Sequence, residues 1–261
     1  MAKIIHNNNS LENGLTELKK KSTSWLIVTL ISFFLFIPTN GISLPIFMLG
    51  AIMYNKYSKP LKLRKIGLEG ENRISKVFEN LPDSYTVISN LNLDPTNNWA
   101  NIDNLVIGTN GLFVIKTKNI NGKIKGDASD KYLVQHKTGR KGGHYSKDFY
   151  NPIKQVNSQI YKLSLTLNSN NLNERIQGIV YFSNPDCKVY VNSVETPVFS
   201  HSARGPRELC EFITKHSGSI IPVEKQEAII KTLTKGTVLS DDKINSSYDN
   251  LNDIQTENIY E

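Results

Sequence analysis

Hydrophobic patterning along the chain separates two regions. From Ser22 to Asn55, 34 residues carry no charge, with Trp25 to Ile37 (WLIVTLISFFLFI) and Ile42 to Tyr54 (ISLPIFMLGAIMY) separated by Pro38-Thr39-Asn40-Gly41. Such a run is too apolar for a surface helix. It is long for one helix crossing a bilayer, which needs about 20 residues, and short for two. Pro, Asn and Gly supply turn chemistry, so the pattern predicts a transmembrane helical hairpin over residues 22–55, with spans at residues 23–38 and 41–56. Lys19, Lys20 and Lys21 precede it, while Lys56, Lys59, Lys62, Arg64 and Lys65 follow. Cationic flanks stay cytoplasmic, so the expectation is a multi-pass protein of the cytoplasmic membrane whose soluble domain faces the cytoplasm. One crossing instead of two leaves the domain on that same side. A cleaved signal peptide fits poorly, because 20 or more residues precede the run and no small-residue cleavage site follows. A core hairpin of a soluble protein needs an apolar partner surface that the rest of the chain does not obviously supply.

The remaining pattern alternates helical and strand periodicity. Residues 1–21 are polar, an N-terminal cytoplasmic segment with a short helix over residues 11–21, and residues 56–65 form a basic linker. Ile74, Val77, Phe78 and Leu81 fall at i, i+3, i+4 and i+7, one face of a helix starting near Gly67 and ending before Pro82. Residues 85–91, 102–107 and 112–118 read as strands, the last two joined through Gly108-Thr109-Asn110-Gly111, a strong hairpin signal. With Asn110-Gly111 as the turn, Asp103 faces Lys118; with the turn one residue earlier, Asp103 faces Lys116. Either register places Asp103, Lys116 and Lys118 on one face. Asn151-Pro152 starts a helix with a buried stripe of Ile153, Val156, Ile160, Leu163 and Leu167. Strands over 176–183 and 196–200 and helices over 207–216 and 223–233 complete an α/β domain with helices on a mixed sheet.

Charge sharpens this picture. The chain of 261 residues has a formal charge of +7, but its last 21 residues hold six acids and one lysine. The body is therefore strongly basic, and residues 237–261 read as a disordered acidic tail. A basic body suits DNA or anionic lipid, or is simply a solvated lysine-rich surface. Lys137, Arg140, Lys141 and Lys147 lie in a stretch that reads as a mobile basic loop able to track a nucleic-acid backbone, or as a flexible hairpin tip with incidental charge. Cys187 and Cys210 show no metal-ligand or disulfide spacing, and no Ser/His/Asp set stands out.

Gly67-Leu68-Glu69-Gly70-Glu71, Asn101-Ile102-Asp103-Asn104-Leu105-Val106-Ile107-Gly108, Gly111 to Asn119 (GLFVIKTKN) with Gly122, and Asn151-Pro152 with Gln155 resemble, in order and spacing, the nuclease-related domain (NERD). The likeness runs from residue 66 to 183, followed by a C-terminal α/β extension of the same domain over 184–236. It implies a restriction-endonuclease-like mixed sheet flanked by helices, of the PD-(D/E)xK superfamily, and a role in cutting or processing DNA. It also accommodates appended transmembrane segments.

That fold uses Asp on one strand and Glu-x-Lys on the next, two carboxylates holding Mg²⁺ while the lysine positions or deprotonates the nucleophile. Asp103 matches the first carboxylate and Lys118 the lysine, but Lys116 stands where the family pattern has an acid. An ammonium there changes the local charge by two units and opposes a divalent cation. Glu71 or Glu69 could join Asp103 as the second carboxylate, giving a Mg²⁺-dependent deoxyribonuclease with Asp103 and Glu71 as metal ligands. Alternatively the site has lost catalysis, and the domain is a non-catalytic nucleic-acid or protein-binding module at the membrane surface. Asp103 with its lysines also reads as a plain cross-strand ion pair, and Glu69 and Glu71 as a solvated first helical turn. By resemblance Gln155 faces the cleft; by residue type alone it is an exposed helix residue.

Overall fold

The computed structural model describes residues 1–6, 10–38, 40–93, 101–139, 142–218 and 220–234. The chain divides into two compact units, a domain comprising residues 1–8 and 70 onward, and a hairpin of residues 9–69.

In the domain, β1 (Lys3–His6), β2 (Thr86–Asn92), β3 (Asn101–Gly108), β4 (Gly111–Lys118), β8 (Ile176–Phe182) and β10 (Val198–Ser200) form one sheet in the order β1-β2-β3-β4-β8-β10. β2, β3 and β4 run antiparallel, while β1, β8 and β10 each join in parallel. The runs Leu105–Ile107, Leu112–Ile115 and Ile179–Phe182 are wholly buried, as expected of central strands covered on both faces. One core packs Ile74, Val77, Phe78 and Leu81, at the predicted helical spacing, against Val106, Phe113, Ile115 and Tyr181. On the other face α3 (Pro152–Asn168) lays Ile153, Val156, Leu163 and Leu167 against Leu105, Leu112, Val114 and Val180.

Asn151 opens α3 as predicted. Its Oδ1 accepts from the Ile153 amide at 3.0 Å, while its Nδ2 donates to the Asp127 and Asp130 carbonyls at 3.1 and 2.9 Å. This buried side chain therefore caps the helix and also ties it to a turn of the second sheet. α4 (Gly205–Lys215) and α5 (Val223–Thr234) complete the described fold.

Three expectations change. Lys137 and Lys147, expected in a mobile basic loop or at a hairpin tip, lie on strands of a second sheet: β5 (Gly122–Asp127), β6 (Tyr132–Thr138), β7 (His144–Tyr150) and β9 (Cys187–Asn192), in the order β7-β6-β5-β9. The N-terminal segment supplies an edge strand to the main sheet. The expected tail at 237–261 lies outside the described residues.

The third change concerns the hairpin, built from α1 (Ser10–Phe34) and the first part of α2 (Leu44–Phe78), a single helix that runs through residues 56–65 and begins well before Gly67, where a separate helix is expected to start. Among the described residues no helix is long and apolar enough to cross a membrane, so the predicted transmembrane spans are corrected. The apolar run is divided between two helices whose other ends are charged. Trp25–Phe34 gives α1 ten apolar-run residues and Leu44–Tyr54 gives α2 eleven. At 1.5 Å per residue these are about 15 Å each, half of a hydrocarbon core of about 30 Å. Asn40 and Gly41 do take the turn, at φ +48° and +85°.

Candidate functional site

The β3–β4 register places the site. Asn104 pairs with Ile115 and Gly108 with Gly111, leaving Thr109 and Asn110 as the two turn residues. Asp103 therefore lies across from Lys116, the second of the two registers the sequence allows. The turn is held from outside: Asn110 Nδ2 donates to the Ile213 and His216 carbonyls at 2.6 and 3.2 Å, at the end of α4, and Tyr85 donates its hydroxyl proton to Asn110 Oδ1 at 2.9 Å.

Lys116 Nζ meets Asp103 Oδ1 at 2.8 Å, and the Thr117 amide donates to Asp103 Oδ2 at 3.0 Å. With the two side chains only 17% and 21% exposed, the pair is partly desolvated, so its mutual attraction is less screened than that of a surface ion pair. Both carboxylate oxygens thus have partners. A buried relay stands beside it, in which Ser89 donates to Asn104 Oδ1 at 2.9 Å and Asn104 Nδ2 approaches Thr117 Oγ1 at 3.5 Å.

Glu71 enters from α2. The helix can approach because Gly70 has no side chain: a Cβ there would sit 2.7 Å from Asn119 Cβ and 2.8 Å from Ser183 Oγ. Asn90, in the left-handed region at φ +56°, donates from Nδ2 to Glu71 Oε2 at 3.3 Å. Desolvation pushes the Glu71 carboxyl above its ordinary value; the Asn90 bond and the Lys116 charge oppose this, while the Asp103 charge adds to it. Lys118 is pulled down to about 8, first by desolvation and then by the Lys116 cation, with Asp103 acting the other way. Asp103, Lys116, Lys118 and Glu71 therefore form one electrostatic cluster. Glu69 is solvent-exposed and belongs to the hairpin unit; the cluster stands on residues of the domain.

Gln155 is partly buried, and its Oε1 is withdrawn from solvent without a hydrogen-bond partner, as are Gln159 Oε1 and Ser183 Oγ. Lys137 and Lys147 lie on adjacent strands, Lys137 facing Tyr145 and Lys147 facing Gln135, which makes them diagonal neighbours. Desolvation and then the charge of Lys147 lower the Lys137 ammonium. Arg140 and Lys141 lie outside the described residues.

The second sheet also assembles a group that reading along the chain misses. Lys123 pairs with both His136 and Lys188, and Lys125 pairs with Val134 and Tyr190. Ladder partners point the same way, so Lys123, Lys125, Lys188 and Tyr190 share one face, where all four are exposed. The alternation of Gly-Lys-Ile-Lys-Gly-Asp was the available signal; the partner strand lies more than 60 residues away.

The described residues do not fit a divalent cation. Among them, no group of three or more His, Cys, Asp or Glu side chains is placed to hold a metal. Asp103 is already engaged by an ammonium and an amide, and desolvation raises the Glu71 carboxyl above its ordinary value.

A mixed sheet between helices, carrying Asp on one strand and Lys-x-Lys on the next, defines an α/β domain consistent with a restriction-endonuclease-like fold. Residues 66–183 match the family model of the nuclease-related domain, NERD, which points to a nuclease-related function for this segment. No curated protein and no solved structure matches the chain.

Proposed function

We propose that the nuclease-related domain binds the phosphodiester backbone of DNA and does not cleave it by a metal-dependent route. The observation that carries this reading is the 2.8 Å Lys116–Asp103 ion pair. Lys116 stands where the resemblance to the nuclease-related domain expects an acidic ligand, and its ammonium supplies there the positive charge that a metal would otherwise bring. Lys118, also cationic below about pH 8, extends that charge. The second sheet adds Lys123 directly opposite Lys188. Like charges across a ladder are unfavourable on their own, and a phosphate chain passing over them relieves the repulsion while Tyr190 offers a stacking surface.

Full-length protein is mixed with single-stranded, duplex and nicked DNA, with Mg²⁺ or Mn²⁺. The expected result is retention of DNA at low salt without cleavage, with cleavage appearing in Lys116→Glu and lost again in Lys116→Glu with Asp103→Ala. Cleavage by the wild type that disappears in Asp103→Ala would overturn the non-catalytic reading and favour Glu71 as the second carboxylate. Failure to retain any DNA form at low salt would overturn the nucleic-acid reading. Lys123→Ala with Lys188→Ala is expected to lower the slope of log affinity against log salt by roughly 1 to 2, close to one per phosphate contact removed.

A further inference from the structure

The hairpin of residues 9–69 is packed inside out. Its buried seam holds Ser22, Ser32 and Ser43, each 5% exposed, together with Gly50, where a Cβ would fall 2.6 Å from Thr29 Oγ1. Its large side chains point outward: Phe33 is 60% exposed, Phe34 75%, Ile37 84%, Ile42 80% and Ile52 62%. Water drives the opposite arrangement, and a contiguous apolar surface of this kind marks an interaction site. Close contact through small residues, with large apolar groups outside, is how helices associate when the surrounding solvent is itself apolar.

Two hydroxyls of the apolar run bond within their own helix, and the turn amides bond within the turn. Thr29 and Ser32 donate their hydroxyls to the Trp25 and Val28 carbonyls, each at 2.8 Å. At the turn, the Leu35, Gly41 and Leu44 amides donate to the Ile31, Phe36 and Gly41 carbonyls at 3.0 Å, and the Asn40 amide to Ile37 at 3.2 Å. Internal satisfaction of backbone donors is the condition for entering hydrocarbon.

Charge identifies which apolar phase. Phe33 lies by Phe47 and Lys21 by Tyr57, each about 6 Å apart, so the helices run antiparallel in register. That register brings Lys19, Lys20 and Lys21 level with Lys56 and Lys59, all exposed. Next toward the tip come Trp25 and Tyr54, the residue types that settle at a membrane interface. A cationic collar below an aromatic level below an apolar tip matches an anionic headgroup layer over acyl chains. Each apolar arm is about 15 Å deep, one leaflet rather than two.

We propose that the tip of this hairpin, from Trp25 through Tyr54, inserts into one leaflet of an anionic bilayer from its cytoplasmic face and holds the chain there without crossing. Both flanks remain on the same side. The inference is independent of what the domain binds.

The test uses the full chain with vesicles of phosphatidylcholine alone or containing phosphatidylglycerol. Flotation with the anionic vesicles is expected, at least about tenfold stronger than with neutral ones, as suits several basic side chains near the surface. Phe33→Ser with Phe34→Ser and Ile37→Ser should abolish flotation while leaving the domain's melting transition in place. Depth is read with Asn40→Cys in a Cys187→Ala, Cys210→Ala background, using a membrane-impermeant maleimide. Shielding from both sides of the vesicle supports insertion into one leaflet. Labelling from the far side would show a crossing hairpin and overturn the proposal. Absence of flotation, with the same tip variants instead dissolving a dimer in lipid-free solution, would overturn it in favour of a second copy of this chain as the partner.

Discussion

The sheet domain and the hairpin solve burial in opposite ways. In the domain the largest fully buried side chains are Tyr181, Phe78, Phe113 and Phe182, and the exposed positions of the second sheet are polar or aromatic, among them Lys123, Lys125, Lys188 and Tyr190. In the hairpin serines and a glycine are inside, with phenylalanines and isoleucines outside. The same apolar residue type therefore carries different information in the two regions. A buried Phe reports a core made against water, whereas an exposed Phe on a helix with internally bonded hydroxyls reports a surface made for something less polar.

The comparison breaks most readily at Phe113. Phe113→Ala removes a fully buried ring from between the helices and sheet, and is expected to cost about 3–5 kcal/mol of domain stability in denaturant melts. Next comes Asn110→Ala, which leaves the end of α4 without its donor to Ile213 and His216. A loss of about 1–3 kcal/mol is expected, since partly buried acceptors lose their partner.

Lys118 sharpens the comparison through pH. Its folded value, about 8, lies below its ordinary 10.5, so between these values the unfolded chain binds more protons than the native one. Stability should rise with pH across roughly 8 to 10.5 and by no more than about 3 kcal/mol. Lys118→Met should flatten that slope; an unchanged slope would mean that the ammonium is solvated. The smallest effect is expected on the other side of the comparison. Phe34→Ser, at 75% exposure, should change stability in lipid-free solution by about 0.5 kcal/mol or less, even though the tip variants remove vesicle binding. A large stability loss would place Phe34 in a protein core.

Much of the site was legible because it is local. Apolar runs on either side of Gly108-Thr109-Asn110-Gly111 specify a hairpin, and strand alternation alone puts Asp103, Lys116 and Lys118 together. Which lysine faces Asp103 was not legible. Asn110-Gly111 has the chemistry of a two-residue turn, yet the Asn110 side chain is drawn off to the α4 carbonyls and the turn moves to Thr109-Asn110. Asn90 was silent in sequence and Gly70 appeared only as part of a motif, because their roles are a left-handed backbone and a close approach to Asn119 and Ser183, and both exist only once distant segments meet.

Sequence patterning by itself determined the α/β class, the central strands, the helix opened by Asn151-Pro152, and an apolar hairpin with basic flanks. These follow from short-range periodicity and capping, which act over a few residues. Tertiary structure alone decided the second sheet, where β5 buries one apolar residue, Ile124, and pairs with β9 from far along the chain. It also decided the Lys116–Asp103 pairing. In the hairpin it decided how the apolar run is shared between two helices, because a turn that satisfies its own amides leaves each arm only about half a bilayer long.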